Sequence, residues 1–348
     1  MRVGMIGFGG IAQAHLLGWN RRAGNGHPVE LTIYDIDPDK RAAARDTVAG
    51  TVVDSLEELL DAAELVDICT PSDTHADLVR TAARAGRNIL SEKPLALTVG
   101  DAVDAARVCR DAGVSLHVGH VVRFFGEYAA AHNAIAGGAI GDLAVLRFRR
   151  ASAQPSSNEW MQLEERSGGV VLDLMIHDID QARWFAGDIV RAHGRSTRPG
   201  RGGIDTVALA VLTHQNGAIT HLTGSWGMAG GFETAFEIAG TTGILAHDST
   251  DHPSVRADRP ELLASAGLLP VMLGDSPFVT EIEEFANAVE GGPPARVGVA
   301  DAIAAVSVAN AVRRSLTSGR PETPEPVPDD LRSEPASAGT RAAGGTWI

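Results

Sequence analysis

The sequence predicts an α/β domain built on a parallel sheet, followed by an α+β domain. Over the first third of the chain, short apolar runs alternate with segments of helical periodicity, which is the pattern of parallel strands with crossover helices. From about residue 125 the segments become longer and alternate apolar with polar residues, as antiparallel strands do. A chain of 348 residues is long enough for each of two domains to bury its own core.

The first domain is expected to contain five strands with helices between them. The predicted strands are 3–6, 31–34, 65–70, 88–91 and 115–118, and the predicted helices are 11–22, 39–47, 55–63, 74–85 and 98–111. Thr98 and Asp101 have the spacing of a capping box, which marks the start of the last helix. Gly86 ends the helix before it.

The second domain is expected to combine strands at 143–149, 207–213, 218–225 and 235–239 with helices at 276–290 and 299–316. We therefore predict a first domain at 1–122, a second at 123–320 whose closing helices pack back on the first, and a flexible tail at 321–348. The tail is rich in Pro, Glu, Asp, Ser and Gly and has few large apolar residues. The basic stretch 195–203 is interpreted as a solvated hairpin loop, with a phosphate or substrate clamp as the alternative.

Composition narrows the classes of partner. The formal net charge of -14 disfavours binding to nucleic acid or anionic lipid, and no apolar run of about 18 residues predicts a membrane helix. The start of the chain has no pattern of an export signal, so we expect a cytoplasmic protein. Cys69 and Cys109 are the only cysteines and lack metal-ligand spacing, so neither a disulfide nor a metal site is expected.

A glycine-rich turn joins the first predicted strand to the first predicted helix. Gly7, Gly9 and Ala12 form a G-x-G-x-x-A pattern, in which the first glycine permits a tight turn, the second lets a pyrophosphate approach the backbone, and the small third residue lets helix and strand pack closely. The helix start supplies free N–H groups and partial positive charge for the phosphates. Its position between strand and helix predicts a dinucleotide-binding Rossmann domain.

Asp35 at the end of the second strand predicts the type of dinucleotide. A carboxylate there accepts hydrogen bonds from the ribose hydroxyls and repels a 2'-phosphate, so we expect NAD. The alternative is that Asp35 and Asp37 only cap the next helix, and Asp37 suits that role better. Lys40 and Arg41 lie one turn inside the helix, which makes NADP the less favoured cofactor.

Two further segments carry candidate chemistry. Lys93, in Glu92-Lys93-Pro94, follows a predicted strand at the edge where open α/β sheets bind ligands, and its ammonium can stabilise a reacting oxygen; an ordinary exposed lysine is the alternative. Asp173 and His177 lie four residues apart and share a helix face. A carboxylate beside an imidazole suits a general base, although a surface pair, a packed core histidine or half of a metal site fits the same spacing.

The chain resembles the glucose-fructose oxidoreductase and inositol dehydrogenase family, Gfo/Idh/MocA, over roughly residues 1–320. The motifs that carry the resemblance are Gly7-Phe8-Gly9-Gly10-Ile11-Ala12, Thr70-Pro71 with His75, Glu92-Lys93-Pro94, Val118-Gly119 with Arg123-Phe124, and Gly168-Gly169 with Asp173, His177, Asp178 and Asp180. The resemblance implies a Rossmann domain followed by an α+β domain with an open, mostly antiparallel sheet. It also implies a homodimer or homotetramer.

By the same resemblance, His177 accepts a proton during alcohol oxidation, Asp173 supports it, and Lys93 positions the reacting oxygen. With Asp35, the residues expected at the cofactor are Gly7, Gly9, Gly10, Ile11, Thr70, Pro71, His75, Glu92, Lys93 and Arg123. The residues expected at the substrate are Lys93, Trp160, Asp173, His177 and Asp180. Aromatic packing explains Trp160 equally well.

The expected function is NAD-dependent oxidation of a hydroxyl carbon in a sugar or an inositol-like polyol. Several inositol-oxidising relatives carry two adjacent arginines where this chain has Val122-Arg123, so one polar contact to a polyol is missing. Two alternatives use the same fold: an NAD-binding regulator without turnover, and a glycosidase that retains NAD and oxidises its substrate only transiently.

Overall fold

The structure is a computed structural model that describes residues 1–153, 159–197, 206–227, 231–251 and 276–332. Two six-stranded sheets organise this part of the chain. The first sheet lies in the amino-terminal third, as the alternation of apolar runs and helical segments predicts. The second follows it, and the last two long helices return to the first.

All strands of the first sheet are parallel. They lie in the order β3-β2-β1-β4-β5-β6. Their bounds are Arg2–Ile6 (β1), Glu30–Tyr34 (β2), Thr51–Val52 (β3), Leu65–Ile68 (β4), Asn88–Glu92 (β5) and Leu116–Gly119 (β6). Every residue of β4 is buried, as expected for a central strand covered by helices on both faces. The predicted parallel sheet is therefore confirmed, and β3 is an additional short edge strand.

The helices of the first domain follow the predicted ones to within a few residues. They are Gly10–Gly24 (α1), Pro38–Thr47 (α2), Leu56–Ala62 (α3), His75–Arg84 (α4) and Val99–Ala112 (α5). Side-chain caps explain three of the starts: Asp37 accepts from Asp39 N, Ser55 from Glu58 N and Thr98 from Asp101 N. Asp37 thus caps α2.

The second sheet is mostly antiparallel and has one open face. Its strands, in the order β12-β11-β7-β10-β9-β8, are Leu143–Ala151 (β7), Ile189–Ser196 (β8), Val207–His214 (β9), Ile219–Ser225 (β10), Glu233–Gly240 (β11) and Ile244–Asp248 (β12). Only β7 and β10 pair in parallel among these described strands. Buried and exposed residues alternate along β9, as in a sheet with one covered face. The predicted fold class is confirmed.

The remaining helices pack on the other face of this sheet or join it to the first domain. They are Gly126–Ala136 (α6), Glu164–Ser167 (α7), Ile176–Ala186 (α8), Pro277–Val289 (α9) and Val299–Ser318 (α10), with a π-helical turn at Val171–Met175 before α8. Helix α9 packs on α1, and α10 packs on β8, α8 and α5. The buried Arg22 of α1 joins α9 by ion pairs to Glu283 and Glu290. The closing helices therefore pack back on the first domain.

The ordered chain extends beyond the predicted start of the tail. Glu322 forms a β-bridge with Ala192, and Asp330 binds Arg107 and Arg110 of α5. Val327 belongs to the buried core and Leu331 packs against it. Backbone, ionic and apolar contacts therefore hold 321–332, which differs from the expected flexible tail. The rest of that tail, 333–348, and most of the basic stretch, 198–203, lie outside the described residues. No described helix is both long and apolar enough to span a bilayer.

Candidate active site

The turn after β1 is shaped for close approach of a ligand to the backbone. Gly7 has φ +93°, and a Cβ there would lie 2.7 Å from the carbonyl oxygen of Cys69, so only glycine fits. At Gly9 and Gly10 a Cβ would meet no atom within 4 Å. Gly9 is the N-cap of α1 and provides no side-chain cap, so the first N–H groups of the helix are available to phosphate oxygens. The turn therefore fits a dinucleotide.

Asp35 lies beside this turn, at the end of β2. Its carboxylate accepts a hydrogen bond from Phe8 N at 2.7 Å through Oδ2 and one from Asp37 N at 2.8 Å through Oδ1. Each carboxylate oxygen can accept a second hydrogen bond, so binding of ribose hydroxyls remains compatible with these contacts. Asp37 is the residue whose side chain caps α2, so Asp35 is not needed as the cap of that helix.

The predicted cofactor residues Thr70, Pro71 and His75 form the turn after β4. His75 is buried, with Nδ1 2.7 Å from the carbonyl oxygen of Pro94 and Nε2 2.9 Å from that of Thr70. Burial lowers the pKa of His75, and the two carbonyl contacts oppose that shift. Both ring nitrogens are thus engaged within the protein, and His75 joins the turn after β4 to the segment that carries Lys93.

Glu92 connects the Lys93 segment to helix α1 through two residues that no sequence motif indicated. Its Oε2 accepts from Lys93 N at 3.0 Å, and its Oε1 lies 3.1 Å from Nε2 of His15. The other ring nitrogen of His15 lies 2.9 Å from Asp67 Oδ1. Burial opposes a charge on His15, but the Asp67 carboxylate raises its pKa well above the ordinary value. His15 therefore bridges two carboxylates under the cofactor turn.

Lys93 and Asp173 meet across the two domains. The Lys93 ammonium donates to Asp173 Oδ1 at 3.0 Å and to the Asp173 carbonyl oxygen at 2.7 Å. The two side chains are only 14% and 12% exposed. Two of the three predicted catalytic residues are thus in direct contact, although the sequence spacing suggested that Asp173 would pair with His177.

His177 lies one helical turn after Asp173 and is half-buried. Its Nδ1 is buried and has no hydrogen-bond partner among the described residues. Burial, followed by the positive charges of Lys93 and Arg150 and the nearby His120, holds the pKa of His177 well below its ordinary value. The imidazole is therefore neutral at pH 7, as a general base must be. No hydrogen bond joins it to Asp173 in the described part of the chain.

Arg123 and Asp180 form a buried ion pair with each other. Arg123 donates to both oxygens of Asp180 at 2.8 Å and 2.6 Å, and also to Asp301 and to the Arg296 carbonyl oxygen. Asp180 is fully buried. The two groups hold the turn after β6 against α8, and the predicted contacts of Arg123 to cofactor and of Asp180 to substrate stay predictions. Such long-range pairing cannot be recognised from local spacing.

Trp160 lies in a short 3-10 turn at Glu159–Gln162 and is half-buried. The following segment reaches the first domain, where Arg166 donates to Asp73 at 2.8 Å. This places the Trp160 loop over the boundary between the domains. Its predicted role in lining a substrate pocket stays a prediction.

One cluster among the described residues has donors close enough to share a metal ion: His15, Asp67 and Cys69. All three are buried and already joined, since His15 lies 2.9 Å from Asp67 and the Cys69 thiol donates to Asp67 at 3.5 Å. Burial raises the pKa of the Cys69 thiol to about 12, which disfavours the thiolate that metals require. Hydrogen bonding accounts for the cluster.

Comparison with known families identifies the chain. Residues 1–120 match the family model described as an oxidoreductase family with an NAD-binding Rossmann fold, and residues 128–246 match the Gfo/Idh/MocA C-terminal domain. The chain belongs to the Gfo/Idh/MocA family. It is therefore an NAD-binding oxidoreductase, in agreement with the resemblance that its motifs carry.

Curated relatives and solved structures of Gfo/Idh/MocA proteins align along most of the chain. An inositol 2-dehydrogenase from Rhizobium meliloti (strain 1021) is 29% identical and covers 92% of this chain and 98% of the relative. A 1,5-anhydro-D-fructose reductase from Ensifer adhaerens is 29% identical, and the alignment covers 92% of this chain and 97% of the reductase. The structure of a putative myo-inositol dehydrogenase from Sinorhizobium meliloti 1021 superposes with a TM-score of 0.79, 26% identity, and coverage of 93% and 100%.

Proposed function

We propose that the chain oxidises a secondary hydroxyl of a sugar or an inositol-like polyol with NAD, with His177 as the general base. The observation that carries this proposal is the Lys93–Asp173 contact beside a neutral His177. The names of the relatives support the substrate class, since inositol and anhydrofructose are both polyhydroxylated rings. Gly7, Gly9, Gly10 and Asp35 would hold the cofactor.

The proposed chemistry assigns one task to each of the three side chains. Lys93 has three N–H donors and uses two on Asp173, so the third can donate to the substrate oxygen. Asp173 keeps this ammonium charged and aimed. His177 accepts the hydroxyl proton at Nε2 while the C–H bond breaks and the C=O bond forms. NAD, when bound, accepts the hydride that leaves the carbon.

An absorbance screen tests this proposal. Inositols, aldoses, sugar acids and amino sugars are each offered with NAD and with NADP, and NADH or NADPH formation is followed. We expect turnover with at least one polyol or sugar and a preference for NAD. Tight NAD binding without turnover across the panel would instead indicate a regulator. Release of free sugar from a glycoside without net NADH would indicate a glycosidase.

We also propose that a second copy of the chain packs on the open face of the second sheet. Apolar side chains on this sheet remain exposed: Leu209 at 52%, Val211 at 45%, Ile219 at 39% and Ile244 at 64%. Apolar patches of this kind mark interaction surfaces. Light scattering after size exclusion should give a dimer or tetramer for the native chain and a smaller species for Val211→Asp. Leu17→Asp, at an exposed apolar position of α1, is the matched control and should leave the assembly intact.

A further inference from the structure

His120 follows β6 at the same sheet edge that carries Lys93. Glu92 of β5 and Gly119 of β6 lie opposite each other in the strand register. The next residue of each strand, Lys93 and His120, therefore leaves the sheet beside the other. No motif or spacing rule marks His120 in the sequence, and the chemistry proposed above assigns it no task.

The His120 ring is buried with its hydrogen-bonding capacity unused. The residue is 1% exposed, and neither Nδ1 nor Nε2 has a partner among the described residues. Its Nδ1 lies 4.0 Å from Asp180 Oδ2, which is too long for a hydrogen bond. Buried polar groups without a partner are rare and costly, so this ring requires an explanation.

His177 has the matching deficiency, because its buried Nδ1 also lacks a partner. Both rings lie at Lys93, since His120 leaves the sheet beside it and His177 lies one helical turn after Asp173, which Lys93 contacts. His120 also contributes to the lowered pKa of His177. Burial makes the largest contribution to the low pKa of His177, and the charges of Lys93 and Arg150 lower that pKa further. Burial also lowers the pKa of His120. Its charged neighbours are Asp180 and Asp301, which oppose that shift, and Arg123 and Lys93, which add to it.

Both rings are thus neutral, and a neutral imidazole has one donor and one acceptor. Two such rings can satisfy each other through one water. Asp173 accepts from Lys93 and makes no hydrogen bond to Nδ1 of His177 among the described residues, whereas the Asp180 carboxylate, held by Arg123, faces Nδ1 of His120.

We propose that His120 is the positioning residue of the catalytic base: its Nε2 accepts a hydrogen bond from one water that in turn accepts from Nδ1–H of His177, and its Nδ1–H faces Asp180. This arrangement fixes the His177 tautomer that presents the Nε2 lone pair to the substrate. No proton travels along the pair. The hydroxyl proton goes to Nε2 of His177, and the proton on Nδ1 stays there while its hydrogen bond to that water strengthens. The inference rests on the function proposed for His177.

Nitrogen-15 NMR of the full-length, histidine-labelled protein tests the pair without any turnover. The His177 signals are assigned by their loss in His177→Gln. We expect His177 to be the Nδ1–H tautomer in the native chain, to lose that preference in His120→Phe, and to recover it in His120→Gln, whose Oε1 can accept the same hydrogen bond. An Nε2–H tautomer in the native chain, or an unchanged His177 signal in His120→Phe, overturns the proposal.

His117 provides a matched control on the same strand. It is half-buried, its Nδ1 also lacks a partner among the described residues, and its ring packs on Phe285 under α9 rather than at the Lys93 edge. His117→Phe should leave the His177 tautomer unchanged. If His117→Phe changed the His177 tautomer as much as His120→Phe does, a general disturbance of β6 would explain both results, and the proposal would be overturned.

Kinetics give a second readout. His120→Phe should lower kcat for polyol oxidation by about 10- to 100-fold, less than loss of the base itself, with the KM for NAD unchanged, and His120→Gln should restore most of it. An equal loss in both variants contradicts the proposal. If the native chain oxidises no polyol, the proposed function fails, yet the tautomer measurement still decides the role of His120.

Discussion

The ammonium of Lys93 donates to both the side chain and the main chain of Asp173. Lys93 follows the last residue of β5, and Asp173 lies in the π-helical turn before α8. One side chain of the first domain is therefore fixed by a residue that the second domain supplies. The candidate site exists only where the two meet.

Replacing Lys93 tests this contact. Lys93→Met keeps the length of the side chain but removes the charge, so it should lower kcat/KM by about 10²- to 10³-fold, the range for loss of a donor to a developing oxyanion. Steady-state assays with the substrate found in the screen measure the loss. Arg84→Met, at an exposed arginine in the last turn of α4, is the control and should retain native turnover; an equal loss in both variants would contradict a specific role for Lys93.

The pH dependence of oxidation should report the low pKa of His177. Its pKa lies well below the ordinary 6.5, so the base stays unprotonated as pH falls through 6.5 and kcat/KM declines only at lower pH. His177→Gln should reduce turnover by about 10²- to 10⁴-fold and leave NAD binding intact. If kcat/KM of the native chain declined around pH 6.5 or above, and this decline were absent in His177→Gln, the low pKa of His177 would be refuted.

Two glycines of the cofactor turn should respond differently to alanine. Gly7→Ala places a Cβ against the Cys69 carbonyl at a positive φ, which costs about 1–2 kcal/mol in backbone strain alone, so Tm should fall even without NAD. Gly9→Ala meets no protein atom within 4 Å, so Tm should hold while the Kd for NAD rises. Calorimetry with and without NAD separates the two effects, and a native Kd in Gly9→Ala would exclude close approach of the phosphates.

His15 should make stability depend on pH. Its folded pKa is raised, so its stabilising effect is complete below the unfolded value of about 6.5 and is lost as pH rises through the folded pKa. His15→Leu leaves two buried carboxylates without their cation and should cost about 3–5 kcal/mol at pH 6, with a smaller cost in alkaline buffer. Urea unfolding at both pH values gives the difference. His27→Leu, at an exposed histidine, should show no such trend, and a cost for His15→Leu that is independent of pH would mean that the ring is uncharged.

Asp35 should control the choice of dinucleotide. Asp35→Ser removes the charge that repels a 2'-phosphate, so the preference for NAD over NADP in kcat/KM should narrow by at least about tenfold. Asp39→Asn, at an exposed position in the first turn of α2, is the control for a general change of charge. If Asp35→Ser kept the native preference for NAD over NADP, another group would have to select the cofactor.

Most of the first sheet could be predicted because its longer strands are short apolar runs bounded by helices, three of which begin at a side-chain cap, such as Thr98 with Asp101 N. Strand β3 was missed because two residues, Thr51–Val52, are too few to show periodicity. Helix α6 and strands β8 and β12 were also missed. Buried and exposed residues do not alternate regularly along β8. Helix α6 has apolar residues without a clear stripe, and β12 has no buried residue.

The sequence motifs indicated candidate site residues, whose roles stay predictions, but did not indicate their contacts. Lys93, Asp173 and His177 carry motifs, whereas their pairing is decided by tertiary structure: a four-residue spacing suggested Asp173 with His177, yet the carboxylate binds Lys93. Likewise His15 and His120 are ordinary in the sequence. Their environment of buried carboxylates and unpartnered nitrogens appears only when distant segments come together.

The ion pairs of Asp330 with Arg107 and Arg110 have a practical consequence for gene engineering. A stop codon just after α10 would remove Glu322 and Asp330. The edge strand β8 would then lose its backbone bridge at Ala192, and two arginines on the surface of the first domain would lose their ion pairs. Truncations and fusion junctions should therefore keep every codon through Arg332, and purification tags belong downstream of it.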